Sequence, residues 1–333
     1  MPTIKDIAEK LNISYSTVSL ALRDSPKVKK KTLKLVKQTA DEIGYRPNCI
    51  ARSLVLQKSI LVAMITPDIS SPFYARIVEG AEAACRKKGY NMLICNTNWD
   101  PKWEEKHLNL ILERRIDGAV IAPCKIKNDY LDKILSAKLP IAFVSSQYPH
   151  KDKDNLIFRG ADNIEGGYLA TCFILKKKQK AIAFIGGSIN SVSLVHRMEG
   201  YYMGIDEADF PRENVYTYTG DFSQNSGYEN SLKALHEHPE ITCLICLNDL
   251  IAMGALKASR ETGRKVPEDI GIIGYDDTYL ASLDAVQLTS VYQPKYQMGY
   301  EAMNKLLDRL ESDEENEPLS KLLHCKLSIR NSV

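Results

Sequence analysis

TIKDIAEKLNISYSTVSLAL, residues 3–22, decides how the head of this chain folds. Thr3 is a natural N-cap, with Asp6 three residues on in the capping-box position. Ile4, Ile7, Ala8 and Leu11 then recur at helical spacing. Asn12-Ile13-Ser14 makes a tight connection, and Ser14 can cap a second helix that buries Val18, Ala21 and Leu22. Two short helices on a three-residue turn predict a helix-turn-helix. A third helix follows in KKTLKLVKQTADEIG, with Leu33, Val36, Ala40 and Ile43 inward and Gly44 closing it.

Charge separates this head from the remainder. Residues 1–58 carry twelve Lys and Arg against five Asp and Glu, a net +7, within a chain of net charge +2; the rest is therefore −5. A basic head on an acidic body is the electrostatic pattern of a nucleic-acid reader joined to a second function. The 333 residues suffice for more than one core. No apolar run is long enough to span a membrane, and the charged N-terminus lacks a secretory apolar region. The eight cysteines, scattered singly, are expected to be reduced thiols of a cytoplasmic protein.

From Ile60 onward, strand-length apolar runs alternate with helical patterns. ILVAMITP, NMLICNT, DGAVIAP, PIAFVSS and NLIFRG form one series; AIAFIGG, VYTYTG, ITCLICLND and IGIIGYDD form a second. Repeated βα alternation predicts an α/β body of two doubly wound parallel-sheet subdomains behind an all-α helix-turn-helix head. Ligands of such sheets bind beyond the carboxyl ends of the strands, where two subdomains form a cleft. Phe73, Tyr74, Asn248 and Asp276 stand at such ends, and Arg197 follows a Gly-Ser loop. An Arg, an Asn and an Asp together suit a polyol. Each has an alternative: Asn248 or Asp249 as a helix cap, Asp276-Asp277 as a turn, Arg197 paired near Glu199.

Other signals point away from catalysis. Cys243-x-x-Cys246 lies in a strand, where residues three apart face opposite sides. His236-x-His238 lacks partners, Gly186-Gly187 is not a dinucleotide fingerprint, and there is no G-x-S-x-G. No enzyme activity, metal or cofactor is expected.

The blocks TIKDIAEKLNISYSTVSLALRDSPKVKKKTLKLVKQTADEIGYRPNCIARSL, PDISSPFYARIVEG, SVSLVHRMEGY, ICLNDLIAMGAL, VPEDIGIIGYDDT and LTSVYQP, in this order, resemble the lactose-repressor (LacI/GalR) family of bacterial transcription regulators. The resemblance implies a repressor that binds a pseudo-palindromic double-stranded DNA operator as a homodimer. A small effector, a sugar or sugar derivative, gates it from a periplasmic-binding-protein-like body. It implies that Tyr15 and Ser16 reach base edges, with Thr17 and Leu20 on the same recognition helix. Thr3, Ser14, Ser19, Arg23, Lys27, Lys29, Thr32, Tyr45 and Asn48 would contact the backbone, and Ala51 and Leu54 would belong to a minor-groove hinge helix. The effector would meet Phe73, Tyr74, Ser145, Arg197, Phe222, Asn248, Asp276 and Gln293. The divisions expected are 1–47 for the head, 48–58 for the hinge and 59–333 for the body. Within the body, 59–159 with 292–318 forms one subdomain and 160–291 with 319–333 the other. The third crossing between them falls in the acidic run 311–318. The chain would act in the bacterial cytoplasm, at the nucleoid when bound to DNA, and without the Leu-heptad tail of tetrameric relatives.

Three positions depart from the family's habits. Leu20 stands where Arg is frequent, so a thymine methyl suits it better than guanine. Ser145 replaces an Asp or Arg of many sugar-binding relatives, and Lys295 replaces an apolar or aromatic residue. These departures leave open a second reading, in which a phosphorylated carrier protein is the co-effector, as for the family's catabolite control protein.

Overall fold

The computed structural model describes residues 2–22, 24–46, 59–113, 116–123, 132–133, 135–137, 139–146, 156–188, 191–311 and 319–333. It divides into two units, Met1–Ser59 and Ile60–Val333. The first contains α1 (Ile4–Leu11), α2 (Tyr15–Leu22) and α3 (Lys30–Glu42). The Thr3 N–H and hydroxyl both donate to the Asp6 carboxylate, at 2.6 and 3.0 Å, fixing the first turn of α1. These bonds hold the Asp6 carboxyl below its ordinary range, the backbone N–H being the larger cause. Asn12, left-handed at φ 51°, ends α1, and the Ser14 hydroxyl accepts the Thr17 N–H at 3.1 Å to begin α2. Ile7, Ala8, Val18, Ala21, Val36 and Ala40 form the small core. Leu33 and Leu22 lie only half-buried at its margin.

The second unit holds two six-stranded sheets. The first contains β1 (Leu61–Thr66), β2 (Asn91–Asn96), β3 (Gly118–Ile121), β4 (Ile141–Val144), β5 (Ile157–Ala161) and β11 (Ser320–Leu323), ordered β11-β5-β4-β3-β1-β2. The second contains β6 (Ala181–Ile185), β7 (Val215–Tyr218), β8 (Ile241–Cys246), β9 (Gly271–Asp276), β10 (Thr289–Tyr292) and β12 (Lys326–Ser328), ordered β12-β10-β9-β8-β6-β7. Among the described residues all pairings are parallel except β10 with β12, which the βα alternation did not anticipate. Strands β3, β4, β5, β6 and β9 are buried throughout, as apolar runs covered on both faces should be.

The connecting helices are α4 (Pro72–Lys88), α5 (Pro101–Leu112), α6 (Asn163–Leu175), α7 (Val192–Glu207), α8 (Gln224–Glu237), α9 (Asp249–Glu261) and α10 (Lys295–Glu311). Helices α6 and α7 pack backbone to backbone: a Cβ on Gly200 would lie 1.9 Å from the Ile164 carbonyl, and one on Gly167 2.2 Å from that of Arg197. Only glycine permits that approach, and it seats α7, with Arg197, against the start of α6.

The chain leaves the first sheet after Ala161, returns after Tyr292 through Gln293-Pro294, and crosses last between Leu323 and Lys326. The expected third crossing at 311–318 is therefore corrected. β11 pairs with β5 in the first sheet, so residues 319–333 do not all belong with the second. The other two crossings, after Ala161 and Tyr292, fall within a residue or two of the expected divisions. The crossings are tied together: the Cys325 N–H donates to Glu165 at 2.8 Å, and the Asp162 N–H to the Leu323 carbonyl at 2.9 Å.

Candidate functional site

Arg197 projects from α7 and is held on four sides. Its Nε donates to Asn163 Oδ1 at 2.8 Å and its Nη1 to the Leu247 carbonyl. Its guanidinium lies 3.6 Å from the centre of the Tyr275 ring. Nη2 points toward Asp276 Oδ1 at 3.8 Å, beyond direct hydrogen bonding. A hydroxyl between the two would accept from the guanidinium and donate to the carboxylate.

Asp276 ends β9 with φ 103°, a backbone conformation that L-residues rarely adopt. Two neighbours hold it there. Gln293 Nε2 donates to its carboxylate at 2.6 Å, and Lys295 Nζ donates to its carbonyl, to that of Asp277 at 3.1 Å and to that of Gln293 at 3.2 Å. Burial raises the Asp276 carboxyl above its ordinary range, against the pull of Arg197 and Lys295. The same burial lowers the Lys295 ammonium, with the charges of Asp276, Asp249 and Asp277 opposing. Behind them Asp249, 1% exposed, accepts from the Thr278 N–H and hydroxyl at 2.6 and 2.9 Å and the Ser290 hydroxyl at 2.6 Å. Burial raises this carboxyl too, and the nearby Asp276 adds to it.

An aromatic line reaches this region from the other lobe. Phe73 and Tyr74 lie in the first turn of α4, with ring centres 5.1 Å apart. Tyr74 and Trp99 meet edge to face at 6.2 Å, and Trp99 stacks on Phe222 at 5.1 Å with the planes 12° apart. Trp99 follows a strand of the first sheet and Phe222 a strand of the second, so this stack joins the lobes. The Ser146 and Ser193 hydroxyls, 2.7 Å apart, join them again. Ser145, at φ 72°, sits beside that bridge at the end of β4.

Asn248 caps α9, its Oδ1 accepting the Ile251 N–H at 2.7 Å, while its Nδ2 donates to the Phe222 carbonyl at 3.2 Å. The capping alternative thus holds, and the same side chain anchors the Phe222 loop. Arg197, Asp276 and Gln293 converge in one polar cluster. Phe73, Tyr74 and Phe222 belong to the aromatic line. Trp99, Asn163, Ser193 and Asp249 were not anticipated from the sequence as parts of this site. Trp99, one of two tryptophans, stands just past NMLICNT, where the strand-end rule already applied to its neighbours could have found it.

On the head, Tyr15 and Leu20 are 65% and 37% exposed on α2, with Ser16 exposed beside them. Leu20 is thus no core residue. Thr3, Ser14, Lys27 and Lys29 are exposed; Thr17, Ser19, Thr32 and Tyr45 are half-buried. Arg23, Asn48, Ala51 and Leu54 lie outside the described residues.

Among the described residues no group of three or more His, Cys, Asp or Glu could hold a metal ion. Cys243 and Cys246 are buried, and burial pushes both thiols above their ordinary range, away from the reactive thiolate. No helix among the described residues is long and apolar enough to cross a membrane.

A helix-turn-helix head followed by a two-lobed α/β body, with a buried polar cluster and an aromatic stack where the lobes meet, is the architecture of a DNA-binding regulator. Residues 3–48 match the bacterial regulatory proteins of the lacI family, and residues 173–333 match the periplasmic binding protein-like domain. The chain is 32% identical over 336 residues to the HTH-type transcriptional repressor PurR of Actinobacillus pleuropneumoniae serotype 3 (strain JL03), covering 100% of this chain and 98% of that one. It is 34% identical over 324 residues to the HTH-type transcriptional regulator RegA of Clostridium saccharobutylicum, covering 97% and 96%. The solved complex of the transcriptional regulator CelR with cellobiose superposes with a TM-score of 0.75 at 26% identity, covering all of both chains. The chain belongs to the lacI family of bacterial regulatory proteins: it is a DNA-binding transcriptional regulator gated by a small effector, and not an enzyme.

Proposed function

We propose that the chain is a repressor that binds a pseudo-palindromic operator as a homodimer and that a cyclic sugar or sugar derivative in the cleft controls its grip on DNA. The observation that carries the effector reading is the opposition of Arg197 Nη2 and Asp276 Oδ1 at 3.8 Å beside the Tyr74–Trp99–Phe222 line. Paired donors and acceptors suit adjacent hydroxyls, and aromatic faces suit the C–H face of a sugar ring. Phe73, Ser145, Asn248 and Gln293 would complete the wall. CelR, a structural relative, is solved with cellobiose, which supports a carbohydrate.

On DNA, Tyr15, Ser16, Thr17 and Leu20 would face base edges. Thr3, Ser14, Ser19, Arg23, Lys27, Lys29, Thr32, Tyr45 and Asn48 would hold the phosphates. Residues 1–47 form the head in this reading, and 48–58 the hinge whose Ala51 and Leu54 enter the minor groove. The body follows from 59 and pairs with that of a second chain. Exposed apolar side chains support such pairing: Leu93 and Ile94 on the edge strand β2, and Tyr279 and Leu283 after β9. The bacterial cytoplasm is the compartment this function requires.

A thermal-shift screen of sugars and sugar phosphates tests the effector reading. A cleft ligand raises the melting temperature of the wild-type chain. Arg197→Ala should abolish that rise while preserving the electrophoretic shift of an operator selected from random duplexes, which Tyr15→Ala or Leu54→Ala should abolish. A sugar response that survives in Arg197→Ala would place the effector elsewhere.

A further inference from the structure

Tyr74 and Phe222 approach the cleft from opposite lobes, and Trp99 stands between them. Its indole lies nearly parallel to Phe222 and makes an edge-to-face contact with Tyr74, the planes 68° apart. The ring remains 42% exposed, so it is not part of the core. The loop that carries it is built to hold this pose. Asn98 and Trp99 are both left-handed, at φ 50° and 61°. Asn96 braces the turn: its Nδ2 donates to Asn98 Oδ1 at 2.6 Å, and its Oδ1 accepts the Ile69 N–H at 3.2 Å. Two successive left-handed non-glycine residues are costly, and the Asn96 bonds together with the ring contacts to Phe222 and Tyr74 oppose that cost.

We propose that Trp99 is a built-in occupant of the effector cleft, and that an effector ring enters by taking its place on Phe222. This rests on the reading of the cleft as the effector site and adds a specificity rule to it. An entering ligand must replace a ring-on-ring contact, so it must itself present a flat apolar face, as a pyranose does. An open-chain polyol with the same hydroxyls could satisfy Arg197 and Asp276 yet could not replace the stack. Trp99 thus selects cyclic sugars over linear ones. Because its stack spans the lobes, displacing it also releases one of the contacts between them, while others, such as Ser146–Ser193 and Lys295 with Asp276 and Asp277, remain.

With only two tryptophans in the chain, Trp103→Phe leaves Trp99 as the sole indole. Phe222→Leu in that background should shift Trp99 emission to the red and raise its quenching by acrylamide; unchanged emission overturns the seat. The probes are cellobiose, ribose, glucose 6-phosphate and sorbitol. At least one ring sugar should produce the same red shift in the Trp103→Phe protein, and sorbitol should not. Trp99→Ala should tighten that sugar's binding by about threefold to tenfold, because the competing stack is gone. Weaker binding in Trp99→Ala would make Trp99 a wall of the site and overturn the proposal, as would a sugar that raises the melting temperature without moving the emission. If none of the probes raises the melting temperature or moves the emission, the sugar-gated reading itself fails, whatever Phe222→Leu does.

Discussion

Asp249 and Asp276 are the residues on which the cleft is strung. Both are buried and both carboxyls are held above the ordinary range, Asp249 with the negative charge of Asp276 beside it. The folded chain therefore holds protons that the unfolded chain releases once pH exceeds the ordinary carboxylate value. Stability from this pair is fullest on the acid side and falls as pH rises toward neutrality. Asp249→Asn keeps most of the hydrogen-bond set, since the Ser290 hydroxyl can turn to accept, but removes the titration. The drop in melting temperature between about pH 5 and about pH 7.5 should be smaller in Asp249→Asn than in wild type; an equal drop would show that Asp249 does not carry it. Little of this was legible beforehand. Asp276 could be found as a strand end, and Asn248 as a cap. The strand-end rule marks the position of Trp99, just past β2, but not its pose, which a left-handed pair of ordinary residues sets. Lys295 stood out only as a departure from relatives, and its place under three carbonyls depends on the return crossing at Gln293-Pro294.

Between elements, placement depends on close backbone contact. Arg197 reaches the cleft because α7 touches α6 through Gly200 and Gly167. Gly200→Ala puts a methyl 1.9 Å from the Ile164 carbonyl, so α7 must move outward. The expected cost is about 1–3 kcal/mol in chemical unfolding, together with loss of the sugar-induced thermal shift. A stable Gly200→Ala chain with a full sugar response would contradict this account of how Arg197 is set. The elements themselves were largely readable. The caps at Thr3 and Ser14 and the apolar runs of the strands gave the head and both sheets. The third crossing was not readable, because residues 320–323 form a short edge strand buried in the pattern half, exposed, exposed, buried. Such a strand lacks the continuous apolar run that marked its neighbours, and the acidic stretch before it resembled a linker.

Taken whole, the molecule separates reading from sensing along the boundary that its charge already drew, a head of +7 before a body of −5. Operator affinity should therefore depend steeply on salt. Lys27 and Lys29 are exposed cations on the head. On the proposed DNA contacts, Lys27→Ala removes one phosphate contact from each head of the proposed dimer and should reduce the log–log salt slope by roughly two. An unchanged slope would remove Lys27 from the interface.

The central claim is that the cleft and the DNA-reading head are coupled, and one measurement addresses it most directly. Operator binding is followed by fluorescence anisotropy at fixed salt, with and without the sugar that most raises the melting temperature. The expected result is a change in operator affinity of about fivefold or more in the wild-type chain, lost in Arg197→Ala. A sugar that stabilises the body yet leaves operator affinity unchanged would contradict the coupling outright.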